Sequence, residues 1–457
     1  MNNLYLNNFR GFTNTYLPFK KVNFFVGENS TGKTSILSLV DLLSDFNFWF
    51  YQIFSTKNTQ FVSFEEIVSK DSENRKYFQI GLSSDDFLTQ TKVTDHFYNE
   101  DYKAVLMTFR NDDGIPKIQK FNYVTNAFEI HCYINEDGNI LYKANKTNLS
   151  KDIKLKPNIF IDKWVSESIY PDSDYNTIKE PKSIPFPFSG IANLRGIIEI
   201  ELSKEYKEIK QLGGLQIPTL FPGIRWMGPI RAKPQRTYDS YNVDYSSEGS
   251  HIPYLLSSIV RNKNNSKSIK VMKLLLKFGK ESGLFDSIEI KPFGDSKFSP
   301  FELDVVLNQK AVKLINVGYG VSQILPILTE ILYSDNGSWF AIQQPEIHLH
   351  PKAQAFLGEL IFTQSIDEDK RFIIETHSDH IIDRFRIASR NYRLSNNLKN
   401  DSTIKADSQV IFFERDSKGN KLYSISILPD GNYSKEQPES FRDFFLKEEL
   451  NLLGFIE

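Results

Sequence analysis

The sequence predicts an α/β fold built around a phosphate-binding loop, and three observations predict it. Gly27 to Thr34 reads GENSTGKT, a complete G-x-x-x-x-G-K-[ST] pattern. An apolar run ending in Val22, Phe24, Phe25 and Val26 comes before it, and Ser35, Ile36, Leu37, Leu39 and Val40 continue after it as a helix. Two short apolar runs near the other end, Trp339 to Ile342 and Phe372 to Ile374, alternate with helical segments as buried strands do.

Strand, glycine turn and helix are the context in which the pattern acquires a mechanism. Gly27 and Gly32 let the backbone fold around a polyphosphate, with Asn29, Ser30 and Thr31 between them. The amides at the helix start, through Ser35, face the anion. Lys33 is expected on the β- and γ-phosphates and the Thr34 hydroxyl on Mg²⁺. The chain is therefore expected to bind a nucleoside triphosphate, ATP with Mg²⁺.

Composition bounds the rest. At 457 residues the chain has room for two or three domains with sizeable cores. Hydrophobic content of 40% and charged content of 25% are those of a soluble globular protein. A net charge of −2 gives no global field toward nucleic acid or anionic lipid, so any DNA contact needs a local patch. Cys132 is the only cysteine, which excludes an internal disulfide and reads as a small buried hydrophobe. The start MNNLYLNNFRGF has neither the basic flank nor the apolar core of a signal peptide. No apolar stretch approaches the ~20 residues of a membrane span, and a cytoplasmic location is expected.

Along the chain, residues 1–26 read as strand, turn, strand, the first being Leu4 to Phe9. An aromatic-rich helical segment is expected from about Leu37 to Phe54. Residues 77–148 alternate apolar and polar positions, with hairpin signals at Asn111 to Gly114 and Asn135 to Gly138, and so read as an antiparallel meander. A helix from about Leu194 to Leu212 follows Pro181, Pro185 and Pro187. There is no internal repeat and no sustained heptad pattern. The simplest parse is a split nucleotide-binding domain: 1–44 supplies the phosphate loop, 45–219 is an inserted β-rich and helical lobe, and 220–457 completes the domain.

The later motifs share one chemistry. In NVGYGVSQILPIL, Asn316 to Leu328, Gly318 and Gly320 are expected to precede a helix whose start carries Ser322, an anion site of the same physical type as the phosphate loop. QQPEIHLHP follows one apolar strand, Gln343 to Pro351, and ETHSDH ends the next, Glu375 to His380. With NFRGF at Asn8 to Phe12, MGPIRAKPQR at Met227 to Arg236 and the closing ISILPDGN, these motifs resemble the ABC-type ATPase heads of the OLD (overcoming lysogenisation defect) and SMC/RecF-like group. The resemblance covers residues 1–40 and 220–457. It implies a two-lobed head, a mixed sheet with helices, that forms a head-to-tail homodimer around two ATP molecules. Gly320 and Ser322 would then be the signature that caps the partner's γ-phosphate, His377 the switch histidine, and Arg10 a residue near the base or phosphates.

The sequence departs from that family in one consequential place. Where the family carries an acid for Mg²⁺ and often a second for the attacking water, this chain has Gln343 and Gln344. Glutamine hydrogen-bonds a metal-bound water but cannot take a proton. Either Mg²⁺ is held by Thr34, phosphates and waters, with slow hydrolysis, or another acid substitutes. Glu375 is the first candidate, because the resemblance places its strand beside the phosphate-loop strand; Glu346 is the second. Asn316, where the family tends to have Asp, is a smaller departure.

Other patterns resolve less sharply. His348, His350, His377 and His380 have zinc-like spacings, yet no accompanying motif, and the resemblance places His348 and His350 in a loop across the dimer interface. Arg225, Arg231, Lys233 and Arg236 form a basic cluster, read either as a nucleic-acid footprint or as phosphate-facing or interface arginines. The 37 phenylalanines and 21 tyrosines read as core packing. The stretch after His377 is too short for the Toprim nuclease that OLD proteins append. Together these favour the ATPase subunit of an anti-phage system, similar to those of the PARIS and Septu systems. Its inserted lobe would bind a separate effector, a nuclease for instance, with assembly beyond the dimer left open. A RecF- or SMC-like DNA clamp and a nucleotide-locked scaffold without turnover are the alternatives.

Overall fold

The computed structural model describes residues 2–84, 103–125, 128–146, 174–178, 190–205, 221–239, 244–296, 299–396 and 407–442. The chain divides into two compact units. The first comprises Met1–Lys20, Asn29–Pro222 and Phe413–Leu422; the second comprises Lys21–Glu28, Gly223–Phe412 and Tyr423–Glu457.

The first unit holds an eight-stranded sheet. Its strands are β1 (Asn2–Asn7), β2 (Thr15–Phe19), β4 (Tyr77–Ser84), β5 (Lys103–Asp112), β6 (Ile115–Thr125), β7 (Phe128–Ile134), β8 (Ile140–Lys146) and β9 (Asn176–Ile178), in the order β2-β1-β4-β5-β6-β7-β8-β9. Every pairing is antiparallel. The expected meander is present, turning at Asp113-Gly114, both left-handed, and at Asn135–Gly138. β1 pairs with β4, Leu4 opposite Leu82, so the N-terminal hairpin extends the meander's own sheet.

Phe78, Ile80, Leu82, Val105, Met107 and Phe109 alternate onto one buried face. Phe78 stacks on Phe109 at 5.1 Å, and Phe54 meets Phe109 edge-on at 5.2 Å. Buried Cys132 is held well above the usual thiol range by burial alone.

Among the described residues the helices of this unit are α1 (Lys33–Ser44), α2 (Phe46–Tyr51), α3 (Phe64–Ile67) and α4 (Ile191–Glu205). The helical segment expected from Leu37 to Phe54 consists of two helices, ending at Tyr51. Asp45 takes an extended backbone and accepts the Asn47 amide at 2.6 Å, ending one helix while capping the next. The helix expected at Leu194 starts at Ile191; residues 206–212 and Pro181, Pro185 and Pro187 lie outside the described residues.

The second unit carries the sheet that the phosphate loop leaves. Its order is β10 (Arg225–Met227), β14 (Trp339–Gln343), β15 (Arg371–Glu375), β3 (Val22–Gly27), β16 (Ser408–Asp416), β17 (Gly419–Ile427), and the first four are parallel. β3 and β14 are buried at every position, which explains why apolar residues dominate both.

A smaller antiparallel sheet joins β11 (Ser287–Pro292), β12 (Phe301–Leu307) and β13 (Lys310–Lys313). The helices are α5 (Ile252–Arg261), α6 (Ser266–Ser282), α7 (Tyr319–Tyr333), α8 (Pro351–Asp367) and α9 (Asp379–Ser395). α7 is buried from Val321 to Leu332, so it runs through the core rather than over it. α8 and α9 meet at Gly358, where a Cβ would lie 2.1 Å from the Ile381 carbonyl oxygen. Among the described residues no helix is long and apolar enough to cross a membrane.

Lys370 is buried in this unit and donates to the Ile331 carbonyl at 2.6 Å and to Gln364 Oε1 at 2.8 Å. Burial pulls its ammonium down to about 8, outweighing the charge of Glu368. The folded chain thus releases this proton before the unfolded chain does, so stability rises with pH from about 8 to the ordinary lysine value of about 10.4. The unfolding free energy of the wild type, from urea titrations, is expected to climb over that window relative to Lys370→Met by an amount on the order of 1–3 kcal/mol. Parallel curves would refute the assignment.

Candidate nucleotide site

The phosphate loop leaves β3 at Gly27, whose φ of +143° closes the strand, and turns through Ser30 at +63° and Gly32 at +95°. Glu28, Asn29 and Ser30 are exposed, and Thr31 is buried. α1 begins at Lys33 with Gly32 as its N-cap and no side-chain cap, so backbone amides open the helix. Lys33 is buried and Thr34 exposed. Gly32 is forced for a second reason: a Cβ there would meet the Phe12 ring at 2.5 Å and Asn420 Nδ2 at 2.8 Å.

Arg10, half-buried with φ +44°, reaches the same helix start, its Nε donating to Ser35 Oγ at 3.1 Å and its Nη1 to the Glu66 carbonyl at 3.2 Å. Burial lowers its guanidinium below the ordinary value, against the charge of Glu66. Asn420, which no motif had singled out, donates to the Arg10 carbonyl at 3.1 Å and holds this turn.

In the second unit, strand register brings the remaining candidates together. Gln343 pairs with Glu375 across β14–β15, and Glu375 pairs with Phe25 across β15–β3. The two side chains join: Gln343 Nε2 donates to Glu375 Oε2 at 3.1 Å, both residues being buried. The expected placement of the Glu375 strand beside the phosphate-loop strand is thus what the sheet has. Gln344 bends away with φ +43°, its amide bonded to the Glu375 carbonyl at 2.7 Å.

Glu346 faces the next turn and accepts from Thr376 Oγ1 and the His377 amide, both at 2.8 Å, so its carboxylate already braces that backbone. The His377 side chain is exposed. Within the second unit the Gln343 carboxamide and Glu375 carboxylate oxygens are hard donors of the kind Mg²⁺ takes, and the exposed Thr34 hydroxyl of the first unit is of the same chemical type.

The signature region differs from expectation. α7 starts at Tyr319, so Gly320 is its second residue and Ser322 its fourth. Ser322 is buried and its hydroxyl donates to the Tyr319 carbonyl at 3.0 Å, within its own helix. The groups at the tip are Gly318 and Tyr319, the latter 64% exposed. Gly320 is required by close approach: its Cβ would sit 2.7 Å from the carbonyl oxygen of His348.

The basic cluster also divides. Arg225 is paired with Glu330, and Arg231 is 3% exposed, donating to the carbonyls of Pro229 at 3.1 Å and Gln343 at 3.0 Å. Burial brings the Arg231 guanidinium down to about 10, opposed by Glu346. Only Lys233 and Arg236 remain exposed, too few for a surface footprint of four. His350 caps α8, its Nδ1 accepting from Ala353 at 3.2 Å. No group of three or more His, Cys, Asp or Glu among the described residues is arranged to hold a metal.

A glycine loop between a buried parallel strand and a helix, beside a carboxylate on the neighbouring strand, defines a P-loop ATPase of mixed α/β fold. The family model described as "AAA ATPase domain" matches residues 1–216 and 230–382, and the chain belongs to that family.

Among solved structures the chain is similar to the Smc head domain of Pyrococcus furiosus, bound to the C-terminal domain of ScpA (12% identity, TM-score 0.41, 99% of each chain covered). It is also similar to the SMC head domain of Thermotoga maritima (10% identity, TM-score 0.39, 92% of this chain and 97% of that one). A third is the Smc head of Pyrococcus yayanosii (11% identity, TM-score 0.42, 93% and 98%). At these values the family rests on the model match alone. Among curated proteins none matches the chain.

The two reasons for glycine at position 32 separate experimentally. Gly32→Ala is expected to destabilise the fold by about 1–3 kcal/mol, from backbone strain plus the Phe12 contact. Gly114→Ala has a similar φ of +86° but nothing within 4 Å of its Cβ, and should lose at most about 1 kcal/mol. Equal losses in thermal melting would mean that Phe12 does not press on the loop.

Proposed function

We propose that this chain is an ATP-binding, ABC-type ATPase subunit of the OLD and SMC/RecF-like kind, in which Glu375 replaces the acid that Gln343 and Gln344 lack. The observation that carries this reading is the Gln343–Glu375 hydrogen bond at the end of the strand next to β3. Bound Mg²⁺–ATP would supply the phosphoanhydride and the metal that polarises it, with the loop from Gly27 to Ser35 on the phosphates and Thr34 on the metal. Glu375 accepts the proton of the attacking water. Gln343 keeps the carboxylate in place through its amide, and its carbonyl oxygen suits a metal-bound water. Glu346 holds the Thr376–His377 turn, so that His377 presents its ring as the phosphate sensor.

Two copies meet head to tail, the Gly318–Gly320 tip of α7 capping the phosphates bound by the partner. Ser322, turned into its own helix, supports that tip from behind. The unit around the meander is the docking lobe for a separate effector in anti-phage defence, and nucleotide binding shifts the population of engaged heads that controls it. The internal use of Arg225 and Arg231 weighs against a DNA clamp.

Lys33→Ala is expected to abolish ATP binding measured by calorimetry. Glu375→Gln should leave affinity within about threefold while turnover falls about a hundredfold or more, the usual scale for losing a general base. Unchanged turnover in Glu375→Gln at intact affinity would show that this carboxylate is not the general base.

A further inference from the structure

We propose that Arg231 is a positioning residue that ties the end of β14 to helix α7, so that events at Gln343 reach the glycine tip of that helix. The proposal deepens the ATPase reading above and rests on it for its functional arm.

The link can be followed bond by bond within the second unit. Arg231 holds the Gln343 carbonyl at 3.0 Å through Nη2 and the Pro229 carbonyl at 3.1 Å through Nη1. The segment it belongs to is zipped to a second loop: Gly228 N donates to Ser247 O at 3.1 Å and Ala232 N to Glu248 O at 2.8 Å. Tyr245 OH closes the same pair of segments on the Trp226 carbonyl.

That second loop grips α7 at two points. Gly249 packs on Pro326 so closely that a Cβ would lie 2.7 Å from the proline Cβ. One turn further on, His251 Nε2 meets Glu330 Oε2 at 3.0 Å. Ser246 N donates to His251 Nδ1 at 3.2 Å, which assigns the ring proton to Nε2 and makes Glu330 the acceptor. Burial opposes ionisation of Glu330, but His251 and Arg225 outweigh it and hold the carboxyl below its ordinary value. The carboxylate is thus a fixed anchor for the loop.

A buried guanidinium bound only to carbonyls is expensive relative to a neutral side chain. Among the described residues no carboxylate lies within ion-pair distance of Arg231, and its Nε has no partner. Packing alone would be served by an apolar residue of similar length. A cation that grips the carbonyl of Gln343, the residue hydrogen-bonded to Glu375, serves geometry at that strand end. α7 is buried along its length, so its tip moves only if the helix moves with it. The 245–251 loop is therefore positioned to transmit such a shift.

The test uses the full chain with Arg231→Met and Arg231→Lys, read by hydrogen exchange of residues 245–252 and 319–325 with and without Mg²⁺–ATP. Without nucleotide, Arg231→Met is expected to speed exchange in both segments about tenfold, within the range measured for coupling residues, and Arg231→Lys to restore part of the protection. With ATP, the wild type should gain protection at 319–325. Arg231→Met should bind ATP within about threefold of the wild type yet lose that response, and turnover should fall about tenfold at unchanged KM.

If Arg231→Met responds to ATP as the wild type does, the proposal is wrong. Should the wild type bind no ATP, the ATPase reading fails by itself, and the nucleotide-free arm still decides the link: unchanged exchange at 245–252 and 319–325 overturns it. If Arg231→Met does not fold, Arg231→Lys carries the same comparison.

Discussion

The register of three parallel strands is the constraint on which the rest depends. Gln343 stands opposite Glu375 and Glu375 opposite Phe25, so two polar side chains and the start of the phosphate loop leave the sheet at the same level. Backbone bonds lock this beyond the ladder, Gln344 N on the Glu375 carbonyl at 2.7 Å and Thr376 N on the Phe25 carbonyl at 3.1 Å. A slip of one residue would turn Glu375 to the other face and bring Ile374 or Thr376 to its place. An acid at position 343 would set two carboxylates side by side in a buried spot, where one must protonate or gain a metal. Glutamine there converts a like-charge pair into a hydrogen bond. A neutral amide at position 343 thus gives the Glu375 carboxylate a hydrogen-bond donor where an acid would have set a second like charge.

Close backbone approach is the second constraint, and it lies on α7 and α8. Gly320 against His348, Gly249 against Pro326 and Gly358 against Ile381 each leave no room for a Cβ. These contacts carry little energy singly, but they remove the slack through which a helix could settle differently on the sheet. Their effect is a second unit whose helices are held to one packing on the sheet.

What was legible in the sequence follows from which signals are local. The phosphate loop, the buried strands and the meander were readable because glycine spacing, apolar runs and period-2 alternation are properties of short windows. The break at Asp45 was missed because an aspartate inside an apolar run looks like a helix surface until its own side chain is seen to cap Asn47. The start of α7 was misplaced for a different reason. Glycines were read as a turn before the helix, whereas Gly320 is a helical residue kept small by a carbonyl distant in sequence. Ser322 moved inward with it. Asn420 and Lys370 gave no signal, since Asn420 acts on the Arg10 carbonyl and Lys370 on the Ile331 carbonyl, both distant in sequence, with Gln364 a further acceptor for Lys370.

Arg231 shows how the same sequence fact changes meaning with burial. Four basic residues within twelve positions suggest a surface that meets phosphate, and the count alone favours that reading. Burial reverses it for Arg231, and an ion pair with a buried carboxylate for Arg225. Arg225 neutralises Glu330 on α7, and Arg231 spends its donors on carbonyls. A surface arginine contributes charge to a diffuse field, while a buried one contributes geometry, because each donor must find an acceptor or the desolvation cost stands uncompensated. The fixed fork of a guanidinium spans two carbonyls that a lysine reaches one at a time. The choice of arginine at this position is thus explained by its two carbonyl acceptors, Pro229 and Gln343, each met by a different nitrogen.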